Sequence, residues 1–414
     1  MTEGVTGRGG PRHLAFLPYP AYGHTMPVLP VVAELVARGH RVTAFATEEF
    51  QERMRATGAE VHPYDPPLSS ESPPEHIDAD ECARAPLKLL RSSTAVMGSI
   101  EAAFADGPPD AVVYDTTLWL TGRLLAARWG RPSVQVSPTF ISNEHFNLSE
   151  QNQEFAGQID PKHPALVEFA HELREVVTGS GLSEERQAEL FYGHEEFTLA
   201  FLPKEFQFAG ETFDERHVFV GPTAGARREE DTWKPPGDGR PVLLVSLGTT
   251  VHGRPEFFQD CARAFADSPW HVVMALGGRV TPEEVGPLPS NVEAHPWVPL
   301  GAVLDHASVF LCQAGMGSLM ESLYAGVPLV VVPHHPEQKI NGKRLAQLGL
   351  AEVIRPEDAT VQALRAAVDR VAEDEALRAR VGRMRRHTRE AGGAPRAADV
   401  IEARLTSAPP LEHS

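Results

Sequence analysis

The chain has 414 residues, enough for two domains that each bury a core, and 42% hydrophobic with 23% charged residues is an ordinary globular composition. A formal net charge of −18 excludes a nucleic-acid partner, whose phosphates demand clustered Lys and Arg. Cys82, Cys261 and Cys312 lie far apart without CxxC spacing, which excludes a disulfide frame or zinc site and predicts reduced thiols in a cytoplasmic protein.

The polar opening "MTEGVTGRGGPR" is no signal peptide, and the apolar run behind it is only a strand long, so a soluble protein without a membrane span is expected. That run, "HLAFLPY" (13–19), predicts a buried strand. "PVLPVVAELVARG" (27–39) predicts a helix, "HRVTAFAT" (40–47) a strand, "EEFQERMRATG" (48–58) a helix and "AEVHPYD" (59–65) a strand. "DAVVYD" (110–115), "LWLTGRLLAARWG" (118–130) and "PSVQVS" (132–137) repeat the alternation, which means βαβ units and a parallel sheet. The aperiodic stretch 223–240, rich in charge, Pro and Gly, reads as a linker. The grammar then restarts: strand 241–249, helix 256–268, strands 270–277 and 291–297, strand 308–312, a glycine turn with its helix, strand 327–333 and helix 337–349. Helix 361–374 and a basic segment around 376–389 follow. The expected architecture is α/β: residues 1–222 form one Rossmann-like domain, 241–388 a second that faces it, and 389–414 a C-terminal helix and tail.

Ligands of open parallel sheets sit beyond the carboxyl ends of the strands, so the chemistry is sought there. In "LCQAGMGSLMES" (311–322), Gly315 and Gly317 allow a tight turn, and Ser318 lies where a helix N-terminus presents free N–H groups to an anion. No Gly-Lys-Ser/Thr follows, and Met320 takes the third glycine place of a GxGxxG, so neither phosphate fingerprint is met. A plain strand-to-helix turn explains the glycines equally well. Glu337 and Gln338 place acceptors and donors side by side, as a polyhydroxylated ligand requires, while an acid in a first helical turn is the bland alternative. The adjacent His334 and His335 point apart and find no third ligand at metal spacing. His24 stands in the first βα loop, where a general base would sit, and Asp115 ends a strand of the same domain. A carboxylate behind an imidazole fixes its tautomer and raises its basicity; helix capping is the other reading of Asp115.

Together these residues carry a resemblance. "GHTMPVLPVVAELVARGHRVTAFAT" (23–47) and the block 295–350, with its Trp-x-Pro element, Gly-x-Gly-Ser turn, helix glutamate and acidic-Gln pair, are similar to the family 1 glycosyltransferases of GT-B fold. The match is strongest to the macrolide-type enzymes of actinobacterial secondary metabolism. The resemblance implies His24 as general base and Asp115 as its orienting partner. It implies that Trp297 stacks near a nucleobase whose edge the backbone of Val298 reads, and that Glu321 holds the ribose. It places Thr249 at the diphosphate or sugar, Gln313 and the amides of Gly315, Met316, Gly317 and Ser318 at the diphosphate, and Glu337 and Gln338 on the transferred sugar. The C-terminal basic helix would cross back to the first domain.

The implied reaction is inverting transfer of a hexose from a nucleotide sugar, with no cofactor and no metal. UDP-glucose is favoured by the Glu337–Gln338 pair and a dTDP-sugar is the alternative. The acceptor is a bulky natural product such as a macrolide, and glucosylation would inactivate an antibiotic rather than assemble it. Phe140, Phe146 and Phe155 are the candidates to line its pocket, with core or surface packing an equal reading of each. The short Asp78–Ala79–Asp80 falls in a polar loop and is no metal motif. Two departures stand out: Gln313 replaces the family's usual histidine and cannot carry charge, and Leu300 stands where a glutamine is usual. They keep one rival open, a non-catalytic partner protein or an enzyme with an unusual donor; a nucleotide-sugar epimerase, which can share the two-domain architecture, is a second. The oligomeric state is open, a homodimer included.

Overall fold

The computed structural model describes residues 10–70, 77–192, 197–223, 233–249, 251, 254–278 and 280–407. Its short apolar runs form strands buried on both faces, as a parallel sheet covered by helices requires. The first sheet contains β1 (His13–Leu17), β2 (Arg41–Ala46), β3 (Glu60–Pro63), β4 (Ala111–Asp115), β5 (Ser133–Ser137), β6 (Thr198–Ala200) and β7 (His217–Phe219), in the order β3-β2-β1-β4-β5-β6-β7. The second contains β8 (Val242–Ser246), β9 (His271–Ala275), β10 (Val292–His295), β11 (Ala307–Cys312), β12 (Leu329–Val331) and β13 (Ala351–Val353), in the order β10-β9-β8-β11-β12-β13. Every pairing is parallel. In each sheet the order reverses beside the first strand, which opens a crevice at the carboxyl ends.

Two expectations change. The first helix spans Tyr22–Ala37 and carries Pro27 and Pro30 inside it, so His24 sits in its first turn rather than in a preceding loop. Proline suits a helix start, which drew the expected boundary to Pro27; the structure instead tolerates both lost backbone donors. Asp78 also leaves the expected loop, for it caps the helix Ala79–Ala95 by accepting from Glu81 N at 3.0 Å. Asp80 binds Arg84 and His163, so both acids are committed locally.

Residues 224–232 of the expected linker lie outside the described residues; beyond them Trp233 donates to Glu293 at 2.8 Å, docking the linker's end on the second domain. The basic helix Glu375–Glu390 does not cross over. Its arginines bind the second domain, Arg380 on Gly349 O at 2.7 Å and Arg389 on Tyr324 O at 3.1 Å. The next helix, Gly393–Ser407, makes the crossing. Its Ala397, Ala398 and Ile401 are fully buried with Leu14, Phe16 and Val32 of the first domain, and Arg38 clamps it through Asp399 at 2.7 Å and Glu402 at 2.8 Å. Arg344, on the helix Pro336–Leu348, reaches back from the second domain to the carbonyls of Glu205, Phe206 and Gln207. These two clamps set the first crevice against the second.

Candidate active site

Asp115 ends β4, so its side chain emerges at the carboxyl edge of the sheet beside the first turn of the Tyr22–Ala37 helix. Its Oδ2 lies 2.8 Å from His24 Nδ1, and its Oδ1 accepts from Thr117 N at 2.8 Å. A carboxylate only accepts, so Nδ1 carries the imidazole proton and Nε2 keeps its lone pair. Asp115 is fully buried, while the His24 side chain retains 26% exposure towards the cleft. Desolvation opposes a charge on His24, but Asp115, its hydrogen bond and the more distant Glu337 outweigh it and hold the imidazole pKa above 6.5. Asp115 thus does both jobs that the sequence left open: it supports His24 and caps the turn Thr116–Leu118.

On the facing domain, β11 runs into the helix Met316–Ala325 with Gly315 as its N-cap, and no side chain caps that end. The first amides of the helix are therefore left for a ligand, and the helix dipole favours an anion there. Ser318 Oγ bonds back to Gly315 O at 3.0 Å and stiffens the turn. A Cβ at Gly317 would meet nothing within 4 Å, so this glycine faces open space. The left-handed residue of the junction is Ala314, at φ 67°, and not either glycine. A non-glycine residue there stores about 1–2 kcal/mol of strain. Asn341 holds the bend by donating to Ala314 O at 2.8 Å, and it also bonds Glu337. Met316 contributes only its backbone to the turn, its side chain being buried.

Gln313 is buried and its amide packs on the bare Cα of Gly248: a Cβ there would lie 2.1 Å from Nε2. Its Oε1 is buried without a hydrogen-bond partner among the described residues. Thr249 follows that glycine in the loop after β8, half-buried. Glu321 lies one turn along the Met316–Ala325 helix, and burial pushes its carboxyl up to about 7. Trp297, just beyond β10, is 55% exposed. Its ring lies over Gly278, whose φ of 70° and missing Cβ allow the approach, and stacks on Tyr22 of the other domain with centroids 5.8 Å apart. Val298 is tucked against the core, leaving its backbone beside the tryptophan.

Glu337 lies in the first turn of its helix, open to solvent in the cleft yet crowded by protein. That crowding raises its pKa, while the nearby His24 and the Asn341 hydrogen bond pull the other way. Gln338 is turned into the fold: its Oε1 accepts from the amides of His334 and His335 at 2.9 and 3.1 Å, so its observed work is to shape the turn that presents Glu337. Phe140 and Phe146 are also core residues, 2% and 8% exposed, in an aromatic cluster with Phe206 and Phe208. They support the cleft wall rather than surface it; Phe155 is half-buried and reaches a cavity. Sequence reasoning missed Tyr22, Ala314 and Asn341. The run "KINGKR", with Asn four residues after Glu337, was the available signal for the last.

The geometry thus sets an oriented imidazole across the cleft from an uncapped helix end, with an aromatic ring and carboxylates near by. Residues 264–405 match the family described as Erythromycin biosynthesis protein CIII-like, C-terminal domain. The chain is 38% identical to the demethyllactenocin mycarosyltransferase of Streptomyces fradiae, over 96% of this chain and 87% of that protein. It is 35% identical to the oleandomycin glycosyltransferase of Streptomyces antibioticus, over 97% and 93%. The crystal structure of CalG4, the calicheamicin glycosyltransferase, superposes with a TM-score of 0.88 at 41% identity, covering 97% of this chain and all of that one. Two parallel α/β domains, a crossing C-terminal helix and likeness over nearly the whole length make this chain a member of the GT-B glycosyltransferases, in the macrolide glycosyltransferase group.

Proposed function

We propose that the protein transfers a hexose from a nucleoside diphosphate sugar to a hydroxyl of a bulky natural product of the macrolide kind, in one displacement that inverts the anomeric centre. The observation that carries this reading is the 2.8 Å bond from His24 Nδ1 to Asp115, which leaves Nε2 free to take a proton within the cleft. His24 removes the acceptor's hydroxyl proton as the oxygen attacks the face of the anomeric carbon opposite the diphosphate, and the imidazolium that forms is stabilised by Asp115. Such general-base help contributes roughly 10²–10⁴-fold. The departing diphosphate gains negative charge against the amides of Met316–Ser318, whose dipoles are already oriented and supply the stabilisation that a cation gives elsewhere.

Trp297 supplies the face for the base, Glu321 the acceptors for ribose hydroxyls and Glu337 those for the sugar. An acidic group at the sugar position suits a fully hydroxylated hexose, which favours UDP-glucose over a dTDP-deoxysugar. The relatives named above are enzymes of antibiotic glycosylation, and a macrolide acceptor follows by that kinship. Purified protein incubated with UDP-glucose or dTDP-glucose and a panel of macrolides and phenols is to be read by mass spectrometry. A hexose increment that disappears in H24A supports the reading. An increment retained in H24A, or isomerised donor without transfer, overturns it.

A further inference from the structure

Beside the donor crevice lies a second cavity of about 820 Å³, within the range that holds drug-sized molecules. One wall is a single face of the helix Pro336–Leu348, formed by Lys339, Gly342, Lys343 and Ala346 at helical spacing. Phe155 of the first domain also lines it, its ring centroid 5.8 Å from Lys343 Nζ, together with Val353 and Val251. None of the residues assigned above to base, ribose, diphosphate or reacting hydroxyl lines this space.

Its charge is unlike that of the rest of the molecule. On a chain of net charge −18, four Lys and Arg side chains line the cavity against two carboxylates. Both carboxylates are already matched: Glu154 binds Lys343 at 2.7 Å, and Glu357 lies 3.5 Å from Arg355, which also binds Asp358 at 2.6 Å. Lys339 pairs with no carboxylate among the described residues, and Arg254 has only a long contact to Glu256 at 3.9 Å. His334, between them, has its Nε2 buried with no hydrogen-bond partner among the described residues. Burial first, and then Arg254, His335 and Lys339 beside it, depress its pKa to about 4. An unpaired lysine, a weakly paired arginine and an unsatisfied imidazole beside apolar side chains suit an amphipathic anion.

We propose that this cavity binds an amphipathic carboxylate, held by Lys339 and Arg254 with its apolar body on Phe155, on the face of the helix Pro336–Leu348 away from Glu337. The protein would then bind aryl carboxylic acids in preference to their neutral esters. This binding does not rest on the transferase reading above, and the test separates the two.

Calorimetry without donor would compare 3-(4-hydroxyphenyl)propanoate with its methyl ester on the full-length protein, K339Q and R254Q. The expected result is about tenfold tighter binding of the acid, a preference that each substitution reduces and that fades with salt, with the ester unaffected. Equal binding of acid and ester to the unsubstituted protein overturns the proposal, whether or not a neutral phenol is glycosylated. Retention of the acid while no acceptor is ever glycosylated would sink the transferase reading and leave the anion site standing. A parallel comparison of UDP-glucuronate with UDP-glucose locates the charge. If K339Q weakens only the glucuronate donor, the site serves a carboxylate on the transferred sugar and the proposal fails.

Discussion

Asp115→Asn separates the two things that Asp115 does. The carboxylate accepts from His24 Nδ1 with one oxygen and from Thr117 N with the other, each at 2.8 Å in a fully buried site. An amide has a single oxygen. If that oxygen keeps the Thr117 bond, an NH₂ group faces Nδ1, the imidazole proton moves to Nε2, and the base is lost. If the amide turns over, Nδ1–H keeps an acceptor but Thr117 N–H confronts a donor, and an unsatisfied buried donor costs about 1–3 kcal/mol. The competent arrangement is therefore populated roughly 5- to 150-fold less, and the imidazolium formed on proton transfer also loses its counter-charge. Together these place the fall in kcat at roughly 10³-fold, within the range for losing a general base.

The pH profile adds a sign. Transfer needs neutral His24, so activity is lost as pH falls through its pKa, which the native site holds above 6.5. Without Asp115 the desolvation that opposes charge dominates, and the acid limb of kcat/KM for the residual activity moves to lower pH. Steady-state kinetics of native protein and D115N across pH 5–9, at saturating donor, read both effects. A loss below tenfold, or an acid limb that stays in place or moves upward, would refute the assignment of Asp115 as the partner of a basic His24.

Three further outcomes follow from the same geometry. Glu337→Gln removes a negative charge that raises the His24 pKa, so the acid limb again shifts to lower pH, by less than in D115N, while KM for the sugar donor rises; an unmoved limb would show that the two groups are uncoupled. Glu321 has a folded pKa near 7 against 4.5, so its ionisation destabilises the fold by up to about 3 kcal/mol. That cost is absent below 4.5, grows through the interval and is complete above 7, so E321Q should raise Tm at pH 8 and leave it unchanged at pH 4.5, as scanning calorimetry would show. Trp297→Ala removes the exposed platform and should weaken UDP about tenfold by calorimetry with only a small fall in Tm, since the side chain is 55% exposed and gives up its stacking on Tyr22.

The strands and the identity of the dyad were legible in the sequence because both depend on local pattern. Apolar runs such as those of β4 and β8 announce buried parallel strands, and residues ending them fall at one edge of a sheet. The short strands β6 and β7, three residues each, carry too little period to be read. The start of the first helix was hidden by Pro27 and Pro30. The crossing of the basic helix was an expectation of the family resemblance; whether it or its successor crosses depends on a small apolar stripe, Ala397, Ala398 and Ile401, that fits the first domain's core. Within the site, residue types were visible but contacts were not. Nothing local tells that Phe140 and Phe146 pack on Phe206 and Phe208, or that Tyr22 meets Trp297 across the cleft, because each depends on a partner far away in the chain. Gln338 differs: it bonds the amides of His334 and His335 close by, a capping pattern that the pairing with Glu337 masked.

The most direct test of a single displacement driven by His24 is the anomeric configuration of the product made from UDP-glucose, read from the H1–H2 coupling in its proton NMR spectrum. Attack from the face opposite the diphosphate predicts a β-glucoside, with the large coupling of two axial protons. An α-glucoside, with the small coupling, would contradict the account.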